Sequence, residues 1–332
     1  FVLWSMVLLG FFMGADVSSA SPEALALSSR YVALAFDLAT GLVIYATVRR
    51  ATGQKVPSLA LYSLYSFLPT FTIEQEAWFG ESSIAIFLLA VSLLCFQLGR
   101  DSLGLALLGA TAIFKPHTFL ATIFVMVWLY RRKINRVRNI CLLGAIISGG
   151  LIAPSLIPGY LSSVIGFNSS YLNLYSFGLL TALYSIALVF FGVKLEMTVY
   201  NAVWILTTLA MVGLVLPKII KDSSRFQSVD VICMGLLTWF IPMRTFHPSY
   251  LLWWMVPFAD RGKIVPAFVI AVIVEIGRWI SSYAWIGFAG WGPPSPIPLP
   301  AAVPAIATAA LAYTIAALIA LLDIASSKPI QR

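Results

Sequence analysis

The chain has 332 residues, of which 60% are hydrophobic and 10% charged, with a mean hydropathy of +0.93. A water-soluble globule carries roughly 25% charged residues, so a soluble enzyme is excluded, as is a disordered or fibrous chain. The net charge of +8 in another setting would point to nucleic acid, but the basic residues gather in short turns between apolar runs and form no basic and aromatic surface, so no nucleic-acid partner is expected.

Taken in chain order, apolar stretches occupy 1–13, 30–49, 56–70, 82–99, 103–114, 117–130, 139–157, 177–193, 197–217, 230–245, 248–259, 264–284 and 301–324. A helix crossing the hydrocarbon core needs roughly 20 apolar residues. The pieces at 1–13, 103–114, 117–130, 177–193 and 248–259 are too short for that, and the others cross or nearly cross. Short or broken helices persist at membrane depth only where protein or a water-filled cavity satisfies their backbone. The pattern predicts an all-α, polytopic transmembrane protein with about 8–11 membrane helices, several short or broken, in one domain spanning 1–332. Within it, 1–29 is expected to be a remnant of a first outer loop, 30–260 the core helices and 261–332 the C-terminal helices. FVLWSMVLLGFFMG lacks the basic flank and cleavage site of a signal peptide, and with Phe1 in first place the expectation is that a first transmembrane helix and part of that loop precede it.

Orientation follows from charge. If Arg49, Arg50 and Lys55 are cytoplasmic, threading the chain back and forth puts 16 of the 21 basic residues on that side, Arg100, the Arg131–Arg138 run, Lys218, Lys221 and Arg225 among them. The threading makes 103–114 and 117–130 an up-and-down pair and leaves 177–193 at the surface or re-entrant. The opposite face then receives FTIEQEAWFGES, the FKPH break, the loop around Asn168 (an N-glycosylation acceptor pattern), RTFHPSY and GWGPPSPIPLP. Loops on a rigid scaffold carry function, so the working cavity is expected to open to the non-cytoplasmic side. No inverted repeat of the transporter kind is visible.

Residues suited to chemistry cluster on that face. Glu74, Glu76 and Glu81 stand beside Trp78, and a carboxylate is what removes a proton from an acceptor hydroxyl while an indole offers a flat surface to a sugar. Lys115 precedes Pro116 between two half-length apolar pieces; an ionisable group at membrane depth is expensive, and the proline interrupts the helix there. Arg244, His247 and Tyr250 occupy a similar interruption, with cationic donors for a phosphate and an aromatic suited to the membrane interface. Asp37 is an acid inside RYVALAFDLATGLVIY, placed to bond a neighbouring helix or face the cavity. Glu275 and Arg278 read as a structural pair on one helix face. Cys95, Cys141 and Cys233 lie in apolar runs without metal-ligand spacing and read as small buried hydrophobes.

The order of RYVALAFDLATGLVIYATVRRATG, ALYSLYSFLPTF, an acidic loop with WFG, LGLALLGATAIFKPHTF and TFHPSYLLWW resembles the polytopic GT-C glycosyltransferases, and within them the polyprenyl-phosphate-mannose-dependent mannosyltransferases of the GPI mannosyltransferase I type. The resemblance covers roughly 1–260, and FKP and the outward histidine carry most of it. It implies transfer of a hexose, mannose first of all, from a polyprenyl-phosphate-linked donor to a lipid or glycan acceptor on the non-cytoplasmic face, with inversion. It further implies a plasma-membrane location in a prokaryote or the endoplasmic reticulum in a eukaryote, with room for a small membrane subunit as partner. Lys115, Arg244, His247 and Tyr250 would bind the donor phosphate, Asp37, Glu74 and Trp78 would line the substrate cavity, and Glu76 or Glu81 would act as base. The family takes its catalytic Asp from the first outer loop, where this chain has only Asp16 and Glu23 before Arg30, and its acidic position after the WFG turn is filled here by Ser82 and Ser83. A lipid-phosphate donor carries its own leaving group, so no nucleotide loop or other cofactor is needed; a divalent metal is compatible with the chemistry but not indicated. The competing readings are a multipass transporter or lipid flippase using Asp37 and Lys115, and a noncatalytic membrane subunit.

The threading predicts that a cysteine introduced at Lys133 is labelled only from the cytoplasmic side of sealed vesicles and one introduced at Asn168 only from the other. Cytoplasmic labelling at position 168 would overturn it.

Overall fold

The computed structural model describes residues 22–55, 58–60, 62, 81–152, 155–156, 159, 178–194, 196–243, 253, 256–257, 272 and 299–326. Among these, every regular element is a helix: α1 Pro22–Thr52, α2 Glu81–Gln97, α3 Asp101–Phe114, α4 Phe119–Arg131, α5 Arg136–Ile147, α6 Leu179–Phe191, α7 Met197–Lys221, α8 Ser228–Phe240 and α9 Leu299–Ser326. A 3-10 turn, Pro116–Thr118, joins α3 to α4, and a π turn, Ser148–Ile152, prolongs α5. The helices fall on the apolar stretches of the sequence. The stretches at 1–13, 56–70, 248–259 and 264–284 lie wholly or mostly outside the described residues.

Local chemistry sets the boundaries. α1 starts at Pro22, eight residues before the expected boundary at 30, because proline's fixed φ and missing N–H suit a first helical position. Arg49 and Arg50 sit in its last turn, where cations favour the helix dipole. α2 ends in a paired closure: the Gly99 N–H donates to Phe96 O at 3.0 Å and the Arg100 N–H to Cys95 O at 2.9 Å, with Gly99 at φ +71°, a left-handed conformation that glycine adopts without steric cost. Gln227 and Asp230 form a reciprocal cap at the start of α8.

α2 packs along both α1 and α3, α4 along α8, α5 along α3, and α6 along α9. The shared core contains Ile44, Leu89, Phe124, Phe226, Phe240 and Trp253. α4 and α8 approach so closely at Gly235 that a Cβ there would lie 2.7 Å from the Ala121 backbone nitrogen and nearer still to its Cα. Close approach through small residues is how helices associate where lipid removes the hydrophobic drive.

Hydrogen bonds bring the basic turns to one end of the bundle. Gln97 Nε2 donates to Thr47 O, tying the end of α2 to the end of α1. Arg138 Nε donates to Ser102 Oγ at 2.9 Å, joining the starts of α3 and α5. Trp128 Nε1 donates to Ser223 O and Phe226 O, and Arg225 donates to Ser326 O, which adds the α7–α8 turn and the end of α9. Arg49, Arg50, Arg100, the Arg131–Arg138 run, Lys218, Lys221 and Arg225 therefore share this end, the grouping expected from charge.

Among the described residues three helices are long and apolar enough to cross a membrane: Tyr31–Thr52, Met197–Lys221 and Val303–Ser326. By length and composition they mark an integral membrane protein. Their exposed faces agree, since Leu42, Leu206, Leu209, Leu214 and Leu322 are all at least 60% exposed while Asp37, Thr40, Thr47 and Thr314 are buried. α3, α4 and α8 have 13 or 14 residues and reach only about 20 Å, less than a core of about 30 Å, and for α3 and α4 this is the short length expected from the sequence. Cys95 and Cys233 are buried as expected, but Cys141 is exposed on the outward face of α5.

Gly235→Ala is expected to cost at least about 1–3 kcal/mol, the range for overpacking, because backbone rather than a flexible side chain blocks the new methyl. Gly213, with open space around its Cβ position, should accept alanine without loss. Unfolding of purified protein in detergent checks both.

Candidate functional site

The end of the bundle away from the basic turns is reached by following α2 and α3. Ser92 Oγ donates to Gly104 O at 2.7 Å, which fixes the antiparallel register of the two helices and sets Ser83 level with the last turn of α3. Ser83 lies about 21 Å along α2 from Gln97, and Lys115 about 21 Å from the start of α3. On the other flank of α2, Ser83 Oγ donates to Asp37 Oδ2 at 2.8 Å, and Phe36 packs edge-on against Phe87 at 5.3 Å. An acid, a hydroxyl and the FKPH break thus share one depth.

Asp37 belongs to the inward face of α1, with Ala33, Thr40 and Ile44 at helical spacing. It is 1% exposed and Ser83 is 4% exposed, so the pair joins two helices in a water-poor setting rather than lining an open cavity. A hydrogen bond to a carboxyl group here orients the first turn of α2, whose first residue is Glu81.

Lys115 ends α3 in an extended conformation, its N–H donating to Thr111 O at 2.9 Å, and its side chain is half-buried. Pro116 cannot continue the helix. The chain turns through 116–118, and His117 points inward, 5% exposed, its ring 5.5 Å from Phe240 and edge-on to Trp253 at 5.9 Å. The break therefore abuts the end of α8. Thr118 Oγ1 and Trp253 Nε1 are buried beside it without a hydrogen-bond partner among the described residues. Such groups are uncommon in proteins.

The sequence-predicted residues divide accordingly. The structure joins Asp37 to Ser83 and places Lys115 at the same depth. Glu81 is placed in the backbone of α2, while Glu74, Glu76, Trp78, Arg244, His247 and Tyr250 lie outside the described residues, as do Asn168, Glu275 and Arg278. Ser83, read in the sequence only as standing where the family has an acid, and His117, seen only as part of the FKPH break, are the residues to which sequence reasoning gave no role. The histidine was legible as one of only two in the chain, immediately after a Lys-Pro break. Among the described residues no three His, Cys, Asp or Glu side chains group closely enough to hold a metal. Comparison with family models, curated proteins and solved structures finds no match to this chain.

Ser83→Ala should destabilise the protein by about 1–2 kcal/mol, between the average for polar links inside membranes and that for hydrogen bonds to charged groups. Thr314→Ala should cost less, because that hydroxyl returns only to Ala310 O of its own helix. Paired unfolding curves in detergent separate the two.

Proposed function

We propose that the chain is an integral-membrane hexosyltransferase, in our reading a mannosyltransferase of the GT-C kind, using a polyprenyl-phosphate-linked donor at the end of the bundle opposite its basic turns. The carrying observation is the Lys115–His117 break, a cation-bearing interruption of two short helices at the depth of the Asp37–Ser83 pair. A phosphate anchored by a polyprenyl tail reaches that depth from the bilayer.

In this reading a hydroxyl of the lipid or glycan acceptor attacks the anomeric carbon, its proton passes to Glu81 or Glu76, and the bond from that carbon to the phosphate oxygen breaks. Polyprenyl phosphate leaves with the bonding electrons, and the configuration inverts. Lys115 stabilises the growing charge on the leaving oxygen, together with Arg244 and His247 from the segment that follows α8. Tyr250 completes the phosphate site, and Glu74 and Trp78 face the sugar. Asp37 acts as a positioning residue through Ser83 and the first turn of α2, a narrower part than lining the cavity. The reaction draws on protein side chains without a resident cofactor. The basic end faces the cytoplasm, in a plasma membrane or endoplasmic reticulum, and a small membrane subunit is a fitting partner.

Lys115→Met removes the charge and keeps an apolar stem, so it should lower transfer by about 10²–10³, the scale for loss of one electrostatic stabiliser, with little loss of folded protein. Arg278→Met should affect stability more than turnover. The assay is transfer from labelled polyprenyl-phosphate-mannose in vesicles, normalised to folded protein. Near-normal rates in both Lys115→Met and His247→Ala would overturn the reading.

A further inference from the structure

The bundle's basic end contains a cavity of about 540 Å³ between the starts of α3 and α5. Its polar wall is made by Arg100, Ser102, Asn135 and Arg138, and its apolar wall by Leu103 in the first turn of α3 and by Ala106 and Leu142 about one turn further along the two helices. Arg138 spends one N–H on Ser102 Oγ, and Ser102 in turn donates to Asn139 Oδ1 at 2.6 Å, a buried link that fixes where the guanidinium stands. Arg138 and Arg100 are both exposed and line the cavity, and a guanidinium carries five N–H donors. The turn before α5 is tight, with Lys133 and Asn135 both in the left-handed region, and it sets the first turn of α5 beside that of α3. Neither helix start carries a side-chain cap, so their partial positive charges add to the guanidinium groups. Asp101 is the one acid in the lining, set against the two arginines, Arg100 and Arg138.

A cationic mouth with an apolar wall running along α3 and α5 matches an amphiphile with an anionic head. We propose that this cavity binds a phosphate ester, the headgroup of an anionic phospholipid in the leaflet at the basic end, with an acyl chain lying against Leu103 and Leu142. The phosphate accepts from Arg100 and Arg138, and the apolar wall favours a lipid over soluble phosphate. The site lies about 20 Å along α3 from the Lys115 break and is separate from the donor site. It rests on the membrane character of the chain and not on glycosyl transfer.

The test uses the full chain purified in detergent and challenged with phosphatidic acid or phosphatidylcholine, lipid retention being counted by native mass spectrometry. A basic residue at the membrane surface is worth about fivefold in binding, so the preference for phosphatidic acid should fall about fivefold in Arg100→Gln and about 25-fold in Arg100→Gln/Arg138→Gln. Arg100→Gln leaves the Ser102–Arg138–Asn139 link intact and so reports on binding in a folded protein. Lys218→Gln/Lys221→Gln removes the same charge elsewhere at this end and should keep the preference. An unchanged preference in the cavity variants, or an equal loss in the Lys218/Lys221 control, would overturn the site. Displacement of the lipid by millimolar inorganic phosphate would overturn the lipid assignment in favour of a soluble phosphate.

Discussion

In hydrocarbon a polar group cannot turn to water, so each one must close on the protein, and that constraint organises this bundle. The threonines show its simplest form. Thr40, Thr47, Thr111, Thr238 and Thr314 all return their hydroxyls to carbonyls three or four residues back in their own helices. Groups that reach further become links between helices: Ser83 to Asp37, Ser92 to Gly104 O, and Thr122 to Leu108 O. These few bonds set registers that leucine packing alone would leave loose, because hydrocarbon gains little by exchanging lipid for protein.

The two ends of the bundle follow from the same constraint. At the basic end the turns are short, and their donors find carbonyls close by, as Trp128 Nε1 does with Ser223 and Phe226. Arg132 and Arg136 lie over the rings of Trp128 and Tyr130, at 5.0 and 4.4 Å, so their charges stay near the surface while their stems cover aromatic area. At the other end the helices stop short, and Lys115, His117 and Thr118 occur where backbone continuity is lost. One end is closed by complementary polar contacts, and the other gathers Lys115, His117 and Thr118 at a break between two short helices.

Much of the bundle was legible in the sequence, for identifiable reasons. Hydropathy located the helices because a membrane helix must be apolar around its circumference, and the basic residues grouped correctly because each turn carried its own. The exact start of α1 was not legible, since Glu23 and Arg30 look like loop residues until Pro22 is recognised as a helix start. Nor was the Asp37–Ser83 bond, whose partners are separated by 46 positions and meet only through a register set by Ser92 and Gly104. Lys115 drew attention because its charge is costly at depth, whereas the burial of His117 depended on Phe240 and Trp253, which no local pattern connects to it.

The long helix α7 shows what such an arrangement leaves unspecified. Its buried side chains are Tyr200 near one end and Val215 and Ile219 near the other, with Trp204 meeting Trp239 between them at 6.1 Å. Over the rest of its length it presents Val203, Ile205, Leu206 and Leu209 outward. In evolutionary terms those four positions are almost synonymous: lipid distinguishes valine from leucine poorly, so they can drift among the large aliphatics while Tyr200 and Ile219 cannot. The helix should therefore diverge fastest in its middle, which would leave its two ends as the durable signature by which distant kin of this chain could be recognised.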